Sequence, residues 1–329
     1  MSTLSYLAAS TRALAEEMRR DRDVWCVGED LGRGGVFGQY RGLVEEFGAQ
    51  RVSDAPISEA CIMGAAVGAA MMGTRPVVEM RFSDFALCAI DELVNQAAKA
   101  RFMFGGQTTV PLVAREPIGI WRNSAAQHSQ SLEAWYTHIP GLVVVCPSTP
   151  ADNYLLLKAA IRCDDPVVYM EHKNLWALQG EVPPDEPDEA QIAAALGRAR
   201  LVREGSDVTL VSWSAAVHAC DAAAVALARR GVAAEIIDLR CLWPWDKAAV
   251  FASVRKTGRL LVVHEAVSVG GFGAEIAASV AEHCHAALKA PVKRLGAPRA
   301  PIAYAPNLED QVRVSAAMIE AAGAAMLQP

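Results

Sequence analysis

The sequence predicts an α/β protein built from two parallel-sheet domains, and three observations carry that expectation. Short apolar runs of strand length alternate with alanine-rich stretches of helix length, the pattern of a parallel sheet covered by helices on both faces. The chain has 329 residues, about twice the roughly 150 residues of a typical domain. A proline-bearing acidic segment, 180–191, holds Pro183, Pro184 and Pro187 among Glu181, Asp185, Glu186, Asp188 and Glu189. It can continue neither a helix nor a central strand, and the same alternation restarts after it.

In the first half, residues 24–27, 76–80, 110–114, 142–146 and 167–170 read as buried strands, and 4–20, 59–72, 86–104 and 151–162 as the helices between them. Residues 54–58 form a turn into the small-residue helix that follows, with Ser58 as its N-cap. Glu59 falls in the first helical turn, where a carboxylate complements the helix dipole. After the acidic segment, 208–212, 233–237 and 260–263 read as strands, and 215–230 and 274–287 as helices. The expected boundaries are a first domain over 1–182, a linker over 183–198 and a second domain over 199–329.

Composition narrows the function. With 31 basic and 37 acidic residues the net charge is −6, and there is no basic run, which argues against nucleic acid or an anionic membrane as the main partner. No leader pattern precedes the first helix, and the longest apolar candidate, 60–74, is interrupted by glycines, so no membrane span is expected. The eight cysteines form no CxxC pair and read as reduced thiols of a cytoplasmic protein. His283, Cys284 and His285 are adjacent on a helix, point in different directions and do not converge on an ion.

Two residues stand out for chemistry. Glu59 is the only charged residue between Asp54 and Arg75 and opens an apolar helix, so its carboxyl is expected against a buried surface with a raised pKa. Satisfying the helix dipole is the plainer role. His128 lies in the run 125–131, past a strand end where the crevice of a parallel sheet opens, and is placed to handle protons. A hydrogen-bonded loop histidine is the alternative; His138, His172 and His264 have weaker claims. Gly32, Gly34 and Gly35, and Gly270, Gly271 and Gly273, match no nucleotide-binding spacing and read as turn or packing glycines. Phe82 and Phe85 flank Asp84 after a strand end, as core residues or as a platform for a flat heterocycle.

Together these motifs resemble a family. The run from Asp54 to Glu59, the helix ending at Met72 and Gly73, Phe82 to Phe85, Ala89 to Asp91 and Ala126 to Gln130 are similar to the beta subunits of thiamine-diphosphate-dependent 2-oxoacid dehydrogenases. So are Cys146-Pro147, Ile237 to Arg240 and Gly271 to Gly273, in order over nearly the whole chain. Arg101 to Gly106, Thr137 to Leu142, Val145 to Pro150 and Glu171 to Leu175 look most like the acetoin dehydrogenase beta subunit. The resemblance implies a thiamine-diphosphate-binding pyrimidine-type domain followed by a transketolase C-terminal-like domain.

It also implies roles. Glu59 would hydrogen-bond the N1′ nitrogen of the coenzyme's aminopyrimidine, Phe85 would stack on that ring, Ile57 would line its pocket, and His128 would manage protons near the intermediate or receive the lipoyl group. Arg81, uncharged in many relatives, would lie near the coenzyme pocket and pair with Glu79 or Asp84, or meet a substrate anion. Relatives hold the diphosphate and Mg2+ through a GDG motif on a separate alpha subunit, and this chain contains no GDG. The implied assembly is an alpha2beta2 heterotetramer handing an acyl group from a ketone or 2-oxoacid to a lipoyl acyltransferase core. A potassium ion on the backbone carbonyls of Leu112, Ala160, Cys163 and Asp165 follows by the same carry-over.

Several positions depart from the family. Glu116 to Ser124, with Trp121 and Arg122, replaces a loop of small residues; Trp176 replaces a tyrosine; Lys289 stands where some relatives grip the acyltransferase with an acid. Glu29 and Asp91 match acidic positions that line a route between paired sites, or serve as caps. A pyruvate or branched-chain subunit, a transketolase-like carboligating synthase subunit and a non-catalytic scaffold are the competing readings.

Overall fold

The computed structural model describes residues 2–327. The chain forms two compact units, Met1–Ile118 with Trp135–Leu196, and Gly119–Ala134 with Gly197–Pro329. The segment 119–134 thus packs with the second unit.

In the first unit, parallel strands lie in the spatial order Val143–Val145, Val167–Tyr169, Val113–Arg115, Arg75–Glu79, Val24–Gly28, Val52–Asp54. Val77, Val78, Val113, Ala114, Val167 and Val168 are buried, as strands covered on both faces require. Helix Tyr6–Arg20 starts where the Ser5 hydroxyl accepts from the Ala8 N–H at 3.1 Å, and it packs against Pro150–Arg162. The second of these helices opens with Thr149 as N-cap and Pro150 at its first position.

Several elements escape the pattern. Val52–Asp54 is too short and too polar to read as a strand. The antiparallel pair Ser2–Ser5 with Gln179–Val182 takes the start of the expected first helix and the start of the acidic segment. Within 183–198 a helix forms at Glu189–Ala193, because Asp188 and Gln191 close a capping box. The expected helix over 86–104 is broken: Ser83–Ala86 and a tight turn at Leu87–Ala89 lead into a widened π-type turn at Glu92–Ala97 before Ala98–Met103. Asp91 accepts from Asn95 at 2.6 Å and from Gln96 at 3.4 Å, a local capping role.

The second unit is a sheet in the order Lys293–Ala297, Leu260–Val267, Val208–Ser212, Ala234–Asp238, Arg200–Arg203, parallel except for the last strand. Leu210, Ile236, Leu261 and Val263 join Leu227 and Ile319 from two helices in its core. His264 is buried there, and a Cβ on Gly271 or Gly273 would come within 2.7–2.9 Å of its ring, which makes these packing glycines. No helix among the described residues is long and apolar enough to cross a membrane. No disulfide bond forms among the described residues.

Candidate functional site

The first unit has a topological switch point. From Val24–Gly28 the chain crosses to Val52–Asp54 on one side and returns to Arg75–Glu79 on the other, so Gly28 lies in register with Asp54 and with Glu79. Ligands of parallel sheets bind in the crevice beyond strand ends at such a point. A Cβ on Gly28 would stand 2.8 Å from the Cβ of Glu79, so glycine alone permits this approach. Three corners leave these adjacent ends: Glu29 and Asp30, the turn 55–58 leading to Glu59, and Arg81 to Phe85. The Ala55 N–H donates to Gly28 O at 2.8 Å and the Gly32 N–H to Asp54 Oδ1 at 2.8 Å, which ties the first two corners together.

Glu59 opens helix Glu59–Met71 as expected, but it is half-buried rather than buried. The helix is apolar all round, yet Ala60, Cys61, Ala65 and Gly68 are exposed and Met72 is 85% exposed, so nothing within the unit covers that face. Among the described residues the Glu59 carboxylate makes no hydrogen bond or ion pair. Ser58 is the N-cap by position only; its hydroxyl donates to Pro56 O at 2.8 Å instead of capping. Ile57 presents its side chain outward, 76% exposed.

Arg81 pairs with neither Glu79 nor Asp84. Its Nη1 lies 3.0 Å from Glu29 and 3.4 Å from Asp30, because a left-handed backbone at Arg81 (φ 54°) turns the side chain toward the neighbouring corner. Phe85 is half-buried, edge-on to Phe82 at 5.3 Å, and Phe82 packs in turn on Phe37 and under Lys173. Phe37 also meets Trp176 at 4.4 Å. His128 belongs to the 119–134 segment of the second unit. Of the four carbonyls suggested for potassium, three already accept a hydrogen bond: Leu112 from Val167 N–H at 2.8 Å, Ala160 from Cys163 N–H at 3.2 Å, and Cys163 from the Arg75 guanidinium at 3.0 Å. Each retains one lone pair for a further ligand.

Sequence reasoning missed a buried polar layer behind the strand ends. Arg115 donates to Glu171 through Nε at 2.9 Å, and Asn153 donates to the other Glu171 oxygen at 2.9 Å. The Tyr40 hydroxyl donates to Glu79 at 2.9 Å, and the Arg115 guanidinium lies 5.1 Å from the Tyr40 ring. Burial pushes the Glu79 carboxyl up to about 7 despite the opposing field of Arg115. Glu116 is also buried, and its carboxyl is pushed up to about 8, only partly offset by the Tyr136 hydroxyl. The available signal was one charged residue closing each apolar strand: Glu79, Arg115 and Glu171.

These residues fit one half of thiamine diphosphate. An uncommitted carboxylate, an outward aliphatic side chain and a half-buried ring suit an aminopyrimidine, which needs one strong hydrogen-bond partner and apolar faces. Among the described residues no phosphate cradle accompanies them. Gly34, Gly35 and Gly270 make positive-φ turns, and Gly271 and Gly273 pack on His264.

Residues 2–178 match the family described as "Transketolase, pyrimidine binding domain", and 197–319 match "Transketolase, C-terminal domain". The chain is 43% identical over 325 residues to the 2-oxoisovalerate dehydrogenase subunit beta of Bacillus subtilis, covering 98% of each chain. It is 45% identical to the acetoin:2,6-dichlorophenolindophenol oxidoreductase subunit beta of Cupriavidus necator, covering 97% of this chain and 96% of the other. A pyruvate dehydrogenase E1 component subunit beta-2 from Oryza sativa is 43% identical over 92% of this chain and 80% of its own. A split-gene transketolase solved as an inactive beta4 tetramer shares the fold, with a TM-score of 0.78 at 21% identity over 98% of both chains. With both domains matched in order and relatives aligned over nearly its full length, the chain belongs to the family of 2-oxoacid and acetoin dehydrogenase beta subunits.

Proposed function

We propose that the chain is the beta half of a thiamine-diphosphate-dependent dehydrogenase component. With an alpha subunit it cleaves acetoin or a related ketone or 2-oxoacid and passes the acyl group to a lipoyl group on an acyltransferase core. The observation that carries this reading is the Glu59 carboxylate, uncommitted at the switch point and adjoining an exposed Ile57. A carboxylate kept free of internal partners at the mouth of a parallel sheet is available to a ligand.

When bound, the coenzyme supplies a nucleophilic carbon that accepts the acyl fragment. Glu59 would hold the ring nitrogen of its aminopyrimidine and share a proton with it; closure of the site by the alpha subunit would provide the dry surroundings that the isolated chain lacks. Phe85 and Ile57 would bound the ring, and His128 would move protons at the reacting end. Arg81, held by Glu29 and Asp30, would border the pocket as a neutralised cation. The diphosphate and Mg2+ would be held by the alpha subunit. A potassium ion would take the remaining lone pairs of the Leu112, Ala160 and Cys163 carbonyls together with the Asp165 carbonyl.

The test compares the chain alone and with its alpha subunit, thiamine diphosphate and Mg2+, following reduction of an artificial electron acceptor on acetoin, pyruvate and branched 2-oxoacids. Activity only with the alpha subunit is expected, fastest on acetoin. Turnover by the chain alone would sink the shared-site reading, and a clear preference for pyruvate or a branched 2-oxoacid would move the chain to that branch.

A further inference from the structure

The segment that carries His128 is strained. Arg122 (φ 45°), Asn123 (φ 58°) and Ala125 (φ 61°) all occupy the left-handed region without being glycine. Such conformations persist only where the surroundings over-determine them. In the second unit those surroundings are specific. The Ile120 N–H donates to Glu265 Oε1 at 2.7 Å, and the Ile120 carbonyl accepts from Arg313 Nη1 at 3.2 Å. Both backbone polar groups of one residue are thus taken by an anion and a cation from distant parts of the chain.

The clamp is itself anchored. Arg313 is paired with Glu309 and, at 3.5 Å, with Asp310. Glu265 follows His264, whose Nδ1 is hydrogen-bonded to Ala266 O at 3.0 Å and whose ring stacks on Trp213 at 5.2 Å. The Trp213 indole N–H donates to Glu133 Oε1 at 3.1 Å, pinning the far end of the same segment. Beside the first anchor the Gly119 N–H donates to Gln130 O at 3.2 Å and closes the loop at its neck. His128 sits inside this closed loop, three residues past the last left-handed corner.

We infer that Glu265 and Arg313 are positioning residues: by holding Ile120 they force the strained turn at 122–125, which presents His128 in a single orientation. The inference rests on the reading of His128 as the proton-handling residue of the proposed reaction. Misplacing a catalytic group by about an ångström lowers rates by up to about a hundredfold, and a loss in kcat with KM unchanged is the mark of an interaction made in the transition state, which sets the signature to look for.

The experiment uses the chain reconstituted with its alpha subunit and thiamine diphosphate. Glu265→Ala is expected to lower kcat about tenfold with KM within about twofold. Amide hydrogen exchange across 119–130 should speed up about tenfold, while the strands Val208–Ser212 and Ala234–Asp238 keep their protection. Glu265→Gln retains an acceptor for the Ile120 N–H and should recover kcat to within about threefold; Arg313→Leu should resemble Glu265→Ala in weaker form. Unchanged kcat and exchange in Glu265→Ala would overturn the inference, as would a loss that Glu265→Gln does not rescue. If Glu265→Ala fails to fold, Arg313→Leu decides by the same two readouts. His128→Ala separates the layers. Full turnover in His128→Ala removes the role of His128 and the positioning claim with it. Lost turnover there, beside an unaffected Glu265→Ala, removes the clamp alone.

Discussion

Arg81 reaches across the sheet edge to Glu29, its Nη1 3.0 Å from a carboxylate that is only 8% exposed. Asp30 completes the contact at 3.4 Å, and both Asp30 (φ 60°) and Arg81 (φ 54°) hold left-handed corners at the ends of neighbouring strands. The ion pair therefore braces two strained turns that flank the candidate site.

Arg81→Met should destabilise the first unit by about 1–3 kcal/mol, because it leaves the nearly buried Glu29 without its cation. The double variant with Glu29→Gln should recover most of that loss. Denaturant unfolding of the two single variants and the double variant measures the coupling; strictly additive losses would show that the two side chains are not coupled.

Glu59→Gln should abolish coenzyme-dependent turnover of the assembled enzyme while shifting stability by less than about 0.5 kcal/mol, since the carboxylate has no partner among the described residues. Dye-coupled turnover and a thermal melt on the same preparation check both halves. Retained turnover would remove Glu59 from the chemistry.

Glu116 supplies a pH dependence of definite sign. Its folded-state pKa of about 8 lies above the ordinary 4.5, so the folded state binds the extra proton between those values. Its contribution is fully present below about pH 4.5 and falls away as pH rises to about 8. Glu116→Gln removes the titration and should raise stability at pH 9 by roughly 2–5 kcal/mol, with little change at pH 5. Urea midpoints at the two pH values test this, and a pH-independent difference would contradict it.

Glu17 acts in the opposite direction. Arg162 and Arg20 hydrogen-bond it, Lys158 lies 3.2 Å away, and together they hold its carboxyl below the usual range against the effect of burial. The stability it contributes is present above the unfolded-state pKa near 4.5 and is lost as pH falls through the lowered folded value. Glu17→Gln should cost about 2–4 kcal/mol at neutral pH and much less in acid. Lys158 and Arg162 also bind Glu186, so proteolysis of the acidic segment 183–188 should accelerate in the variant.

The alternation of elements was legible because buried parallel strands leave continuous apolar runs such as Val77-Val78 and Val167-Val168. Val52–Asp54 and Ser2–Ser5 were not, because edge pairing depends on a neighbour far along the chain rather than on a local period. Ile57, Glu59 and Phe85 were readable as motif residues. The Arg81–Glu29 pair was not, since two left-handed corners, which sequence does not announce outside glycine, turn those side chains toward each other.

The sequence by itself determined the two-domain α/β class, the order of most elements, the family and the absence of a GDG motif, because these depend on local pattern and on motif order. Tertiary structure alone decided that Glu59 is half-exposed, that burial raises the carboxyl pKa of Glu79 and of Glu116, and that 119–134 packs with the second unit. Burial, ion pairing and the allegiance of a loop are set by which distant surfaces meet, and no local run of residues encodes that meeting.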